Sequence, residues 1–140
     1  HSTSSAASDV YKRQLKFLSS LDYLSIHCPL NEKTKDLITI KELKIMKKNI
    51  ILINTARGGI VNENDLAKAL KQKIIAGAGI DVTTSEPPKK SHAYYSILNE
   101  ANFIWTPHTA WASNETLQEA INQLIKNINS FYKSRKRNIV

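Results

Sequence analysis

From Leu15 onward, short and almost wholly apolar runs alternate with amphipathic stretches, and this alternation does most to limit what the chain can fold into. LDYLSIH (21–27), NIILINT (49–55), IIAGAGIDV (74–82) and FIWTPH (103–108) have too few polar positions to face water and read as strands buried on both faces. Helix signatures lie between them. Thr39-Ile40-Lys41-Glu42 is a capping box, and its helix is expected to run to about Lys48. Asn62 caps a second helix over 63–72, with Glu63 and Asp65 placed well for its dipole. Leu117, Ile121, Leu124, Ile128 and Phe131 recur at steps of four and three along a last helix, about 114–134. That stripe reads as plain packing. Buried strands separated by amphipathic helices imply βα units around a parallel sheet, an α/β fold.

In open parallel sheets, ligands bind outside the carboxyl ends of the strands. The chemically interesting residues fall at those ends: His27-Cys28, Arg57, Asp81 and His108 follow the first to fourth runs in turn. The coincidence points to a cleft.

Arg57 is the interior member of a small set. The chain carries 20 Lys+Arg, and its other arginines, Arg13, Arg135 and Arg137, lie in the polar ends. A guanidinium offers a rigid fork of donors that matches a carboxylate, where lysine offers a point charge. Gly58-Gly59 lets a ligand approach the backbone. A surface arginine in a tight turn is the plain alternative. His108 follows Pro107, and a lone histidine is more often structural than catalytic. Glu86, in a loop stiffened by Pro87 and Pro88, changes that weighting. A carboxylate bonded to imidazole fixes the ring's tautomer and favours its protonated form, which suits general acid–base work. Asp81 could bind a cofactor group or cap a turn. His27 and Cys28, as strand neighbours, point to opposite faces and cannot form a thiol–imidazole pair. No His, Cys or carboxylate spacing suggests a metal.

The formal charge of +8 raises the question of nucleic acid, but the excess is lysine on polar helix faces and in the tail 133–137. No aromatic-interleaved basic strand accompanies it, so no nucleic-acid partner is expected. One cysteine and no long apolar span suit a soluble, cytoplasmic protein with no membrane partner. Residue 1 is His and Met46 lies inside a helix pattern, while HSTSSAASDVYKRQ resembles a translated adapter. Residues 1–14 are therefore set aside as a non-native or disordered leader, and the chain reads as a fragment.

SIHCPLNEKTKDLI, ILINTARGGIVNENDLAKAL, AGAGIDVTTSEP and TPHTAWAS stand in the order seen in the D-isomer-specific 2-hydroxyacid dehydrogenases. The chain resembles that family from about Leu15 to Tyr132, and TPHTAWAS is most like its glycerate dehydrogenase (hydroxypyruvate reductase) branch. The resemblance implies a parallel Rossmann-type sheet, the nicotinamide half of a dinucleotide-binding domain, over 15–111. A helix over 112–134 would return toward a missing substrate domain, and 135–140 would be a basic tail. It implies that Arg57 grips the substrate carboxylate, that His108 is the acid–base residue and that Glu86 is its partner. Asp81 would hold the nicotinamide end, and Cys28, Pro29, Thr55, Ala56, Arg57, His108, Thr109 and Ala110 would line the same pocket. The implied cofactor is NAD, with NADP left open. The implied substrate is a small 2-keto or D-2-hydroxy acid, hydroxypyruvate or D-glycerate first, and the full-length parent would be a homodimer. Glyoxylate, phosphohydroxypyruvate or D-lactate are the alternative substrates, and an NAD(H)-sensing corepressor is the non-catalytic alternative. The family's G-x-G-x-x-G phosphate loop is absent, since GAGID lacks the spacing. The chain alone is therefore expected to turn over little or nothing.

Overall fold

The computed structural model describes residues 12–138. Helix α1 covers 12–20. It is followed by β1 (Tyr23–Ile26), α2 (Ile40–Ile45), β2 (Ile51–Asn54), α3 (Glu63–Lys71), β3 (Gly77–Ile80), a 3-10 turn η1 (Ala93–Ile97), β4 (Phe103–Trp105) and α4 (Asn114–Tyr132). The leader expectation for 1–11 lies outside the described residues, whereas 12–14 belong to α1.

The four strands form one parallel sheet in the order β1-β2-β3-β4. Burial on both faces holds best for β3; β2 is buried on one face and half-buried on the other, and the expectation fails at the two outer strands. Tyr23 of β1 is 72% exposed and Ile104 of β4 is 68% exposed. Successive side chains of a strand point to opposite faces, and at these two strands one of those faces reaches solvent. The strands are also shorter than their apolar runs, because the flanking residues of each run are turn backbone entering or leaving the sheet.

Local signals set the helices. The capping box of α2 is complete: Thr39 Oγ1 accepts from the Lys41 amide and the Glu42 carboxylate accepts from the Thr39 amide at 2.9 Å. This helix ends at Ile45, short of Lys48, because Met46 turns to extended backbone to start the approach to β2. Asn62 caps α3 by accepting from the Asp65 amide. One face of α3 buries Leu66, Ala67, Ala69 and Leu70, and each fully buried leucine contributes about 2 kcal/mol. Asp65 Oδ2 accepts from the Ile40 amide at 2.9 Å, which joins the starts of α2 and α3. The 3-10 turn η1 had no counterpart in the apolar pattern. It packs on α3 and buries Tyr94 and Ile97. Burial pushes the Tyr94 phenol far above its ordinary range.

Residues up to His108 make one compact unit, and Thr109 onward makes a second. In the second, Ser113 caps α4 by accepting from the Thr116 amide at 3.2 Å. Within this chain the α4 stripe packs on no described residue deeply enough to bury it. No residue of α4 is buried, and Leu117, Ile121, Leu124, Ile128 and Phe131 are all exposed. Periodicity marks where a helix can pack, and it does not put a surface there. Arg137 folds back on this helix, donating to Asn127 and Gln123 at 3.1 and 2.6 Å.

One backbone crossing is especially tight. A Cβ placed on Gly58 would lie 2.0 Å from the Thr83 carbonyl carbon and 2.4 Å from the Thr84 nitrogen. Both neighbours are main chain, so neither can rotate aside. Gly58→Ala is therefore expected to destabilise the chain by about 3 kcal/mol. The measurement is urea unfolding of the two proteins at equal m-value, and an unchanged midpoint would contradict the crossing.

Candidate active site

The parallel register ends the strands at one level, pairing Ile26 with Asn54, Asn54 with Ile80 and Ile80 with Trp105. The backbone ladder continues past those ends. The Asp81 amide donates to the Asn54 carbonyl at 3.0 Å, Thr106 to Ile80 at 2.9 Å and His108 to Asp81 at 2.8 Å. Asp81 and His108 are thus held side by side by main chain. The Asp81 side chain is buried, and its Oδ1 accepts from the Thr106 hydroxyl.

His108 has a φ of 54°, a left-handed conformation uncommon for any residue but glycine. Its Nδ1 meets Glu86 Oε2 at 2.6 Å, while Glu86 Oε1 accepts from the Thr83 amide at 3.0 Å. The bond to His108, then that to Thr83, holds the Glu86 carboxyl below the usual carboxylate range. An ionised carboxylate can only accept, so the proton of the pair sits on Nδ1. Nε2 is then the basic nitrogen of the neutral ring. Asp81, Glu86 and His108 share a cavity of about 530 Å³ whose other walls include Pro87, Pro88 and Trp105.

Arg57 stands one strand away, in the turn after β2. Asn54 builds that turn from the inside. It is buried at the strand end, donates from Nδ2 to the Arg57 carbonyl at 3.0 Å and accepts the Ala56 amide at 3.1 Å. The exposed Arg57 guanidinium folds back, donating from Nη1 to the Ala56 carbonyl at 2.6 Å. Arg57 and Ala56 are not among the residues lining the Asp81–His108 cavity, and Thr55 is exposed beside them. Cys28 is half-buried on a different cavity of about 650 Å³ next to β1, and exposed Pro29 follows it. His27 pairs with Ser25, two residues back on its own face, at 2.7 Å. Thr109 and Ala110 open the second unit and belong to its description. Among the described residues, no group of three His, Cys, Asp or Glu side chains could hold a metal ion, and no helix is long and apolar enough to cross a membrane.

The structure therefore joins Asp81, Glu86 and His108 and sets Arg57 at the adjoining strand end. Sequence reasoning missed Asn54, Thr83 and Thr106, which position those groups. A polar residue closing the otherwise apolar run IILIN was the available signal for Asn54. Thr106 had none, because its partner Asp81 lies on another segment, whereas the bonds of Thr83 are local to its own loop.

Comparison with known proteins gives this fold a family. Residues 2–110 match the family model described as D-isomer specific 2-hydroxyacid dehydrogenase, NAD binding domain. The glycerate dehydrogenase of Methylorubrum extorquens is 45% identical over 126 residues, covering 88% of this chain and 39% of that protein. The glyoxylate reductase of Thermococcus litoralis is 42% identical over 118 residues, covering 83% and 34% respectively. The NAD-complexed crystal structure of a D-isomer specific 2-hydroxyacid dehydrogenase from Lactobacillus delbrueckii ssp. bulgaricus superposes with a TM-score of 0.81. It is 31% identical, and the match covers 90% of this chain and 42% of that one. The chain thus spans well under half the length of the relatives it matches.

The lowered Glu86 value has a definite sign. Its ionised form is favoured by folding, so its contribution to stability is complete above the unfolded value and is lost as pH falls through the folded one. Carbon-detected titration of the Glu86 carboxylate should give a midpoint below the ordinary value of about 4.3. In His108→Ala that midpoint should rise, because the largest cause of the lowering is gone. An unmoved midpoint would show that the Thr83 amide alone sets it.

Proposed function

The chain belongs to the D-isomer specific 2-hydroxyacid dehydrogenases, and from that premise we propose that it is the nicotinamide half of an enzyme interconverting a small 2-keto acid and its D-2-hydroxy acid. Hydroxypyruvate and D-glycerate are the first-ranked pair, supported by the 45% identity to a glycerate dehydrogenase. The observation that carries the reading is the His108–Glu86 contact at the mouth of the sheet. It supplies an imidazole of fixed tautomer bonded to a solvent-accessible carboxylate, which is the equipment of proton transfer.

The residues fit the nicotinamide end of NAD. A carboxamide needs an acceptor, and Asp81 offers a buried carboxylate in a cavity with largely apolar walls. Backbone at Thr55–Ala56 and Cys28–Pro29, with the His108–Ala110 segment, would line the remainder. When bound, the nicotinamide supplies or accepts the hydride. His108 Nε2 gives a proton to the keto oxygen in reduction and takes it back from the hydroxyl in oxidation, while Glu86 stabilises the charged imidazole. Arg57 binds the substrate carboxylate. A guanidinium carries five N–H donors, and the bond to the Ala56 carbonyl occupies one of them. The full-length protein is expected to be a homodimer.

In the enzyme that includes a substrate domain, hydroxypyruvate should support faster NADH oxidation than glyoxylate, phosphohydroxypyruvate or pyruvate. The reverse order would reassign the substrate and keep the reaction. Arg57→Lys should cost on the order of 2 kcal/mol in transition-state binding, roughly thirtyfold in kcat/KM. Activity within a few-fold of the parent would remove Arg57 from the carboxylate site. The 140-residue chain by itself should show no hydroxypyruvate-dependent NADH oxidation.

A further inference from the structure

Glu63 opens α3, where a carboxylate is ordinarily explained by the helix dipole. Its actual partners lie on other segments. Oε1 accepts from the Thr84 amide at 2.7 Å, Oε2 accepts from the Thr84 hydroxyl at 2.8 Å, and Oε2 also meets His92 Nε2 at 2.7 Å. The Glu63 and His92 side chains are 12% and 9% exposed. A nearly buried carboxylate is costly unless its oxygens are satisfied. All three of these donors belong to the segment between β3 and β4, the segment that carries Glu86.

We propose that Glu63 is a positioning residue for the Glu86–His108 pair, acting through Thr84 and His92; the proposal rests on the acid–base reading of that pair. The route is continuous. Glu63 grips Thr84 by amide and hydroxyl, and the Thr83–Thr84 peptide is pressed from another side by the Gly58 backbone. The amide of Thr83 holds Glu86 Oε1, and its hydroxyl donates to the Ser85 carbonyl at 2.9 Å. Glu86 Oε2 then holds His108 Nδ1. The second arm runs through His92. Its Nδ1 accepts from the Tyr94 amide at 3.3 Å, so Nε2 carries the proton that Glu63 receives. The His92 ring stacks on Trp105 with centroids 5.6 Å apart, three residues before His108. One carboxylate thus braces both the loop that carries the base's partner and the strand end that leads to the imidazole.

A purely structural Glu63 would change stability and leave the tautomer of His108 alone, so the tautomer is the readout. Long-range proton–nitrogen NMR on the 140-residue chain at about pH 9, above the ordinary imidazole range, reports which ring nitrogen holds the proton. His108 should show the Nδ1–H form in the parent and lose that preference in Glu86→Gln. In Glu63→Ala, with the sheet resonances still dispersed, the preference should likewise fall toward that of a free imidazole. A folded Glu63→Ala that keeps Nδ1–H on His108 overturns the proposal. If Glu63→Ala does not fold, Glu63→Gln decides, since its amide cannot accept from all three donors. A partial loss of the preference supports the role, and none overturns it. No turnover is measured, so a wrong acid–base reading would appear separately, as an inert full-length enzyme with an intact tautomer.

Discussion

The parallel register is the constraint on which the rest depends. Because β1 to β4 run the same way and end level, every loop leaving a carboxyl end begins at one rim of the sheet. Residues 27, 57, 81 and 108 are far apart in the chain, and the ladder alone makes them neighbours or near-neighbours. The bonds from Asp81 to Asn54 and from His108 to Asp81 extend that ladder into the loops. The catalytic candidates are thereby fixed to rigid main chain, the arrangement that holds a site to the tolerances chemistry needs.

Around this rim, polar side chains do the fine positioning. Asn54 shapes the Arg57 turn, Thr106 holds Asp81, Thr83 holds Glu86, and Glu63 holds the segment between them. Asn54 and Thr83 are buried, Glu63 is half-buried and Thr106 is exposed, and each has its partners, so the network adds order at the rim without leaving an orphaned charge. The tight Gly58 crossing belongs to the same scheme. It brings the arginine turn against the loop of the acid–base pair, so two neighbouring strand ends cannot drift apart independently.

Elements whose causes are local were legible in advance. The Thr39 capping box and the Asn62 cap are where short-range hydrogen bonding predicts. The strands were located but drawn too long, since an apolar run does not say where sheet pairing stops. The 3-10 turn was missed because its buried Tyr94 and Ile97 follow neither period. Burial of the outer strands was overread, and that of the α4 stripe is not met within this chain. In both, the pattern reports a capacity to pack, and the packing itself depends on what lies opposite.

By itself, the sequence determined the α/β class, the order of the four strands and of the helices from α2 to α4, and the membership of Arg57, Asp81 and His108 in one rim, because periodicity and topology place strand ends without reference to side-chain contacts. Tertiary structure alone decided that Glu86 reaches His108, that Thr106 holds Asp81, and that Glu63 faces the loop rather than solvent. Those are hydrogen bonds of about 3 Å between atoms on different segments. Their formation depends on backbone approach and loop direction, and no local pattern in the chain encodes either.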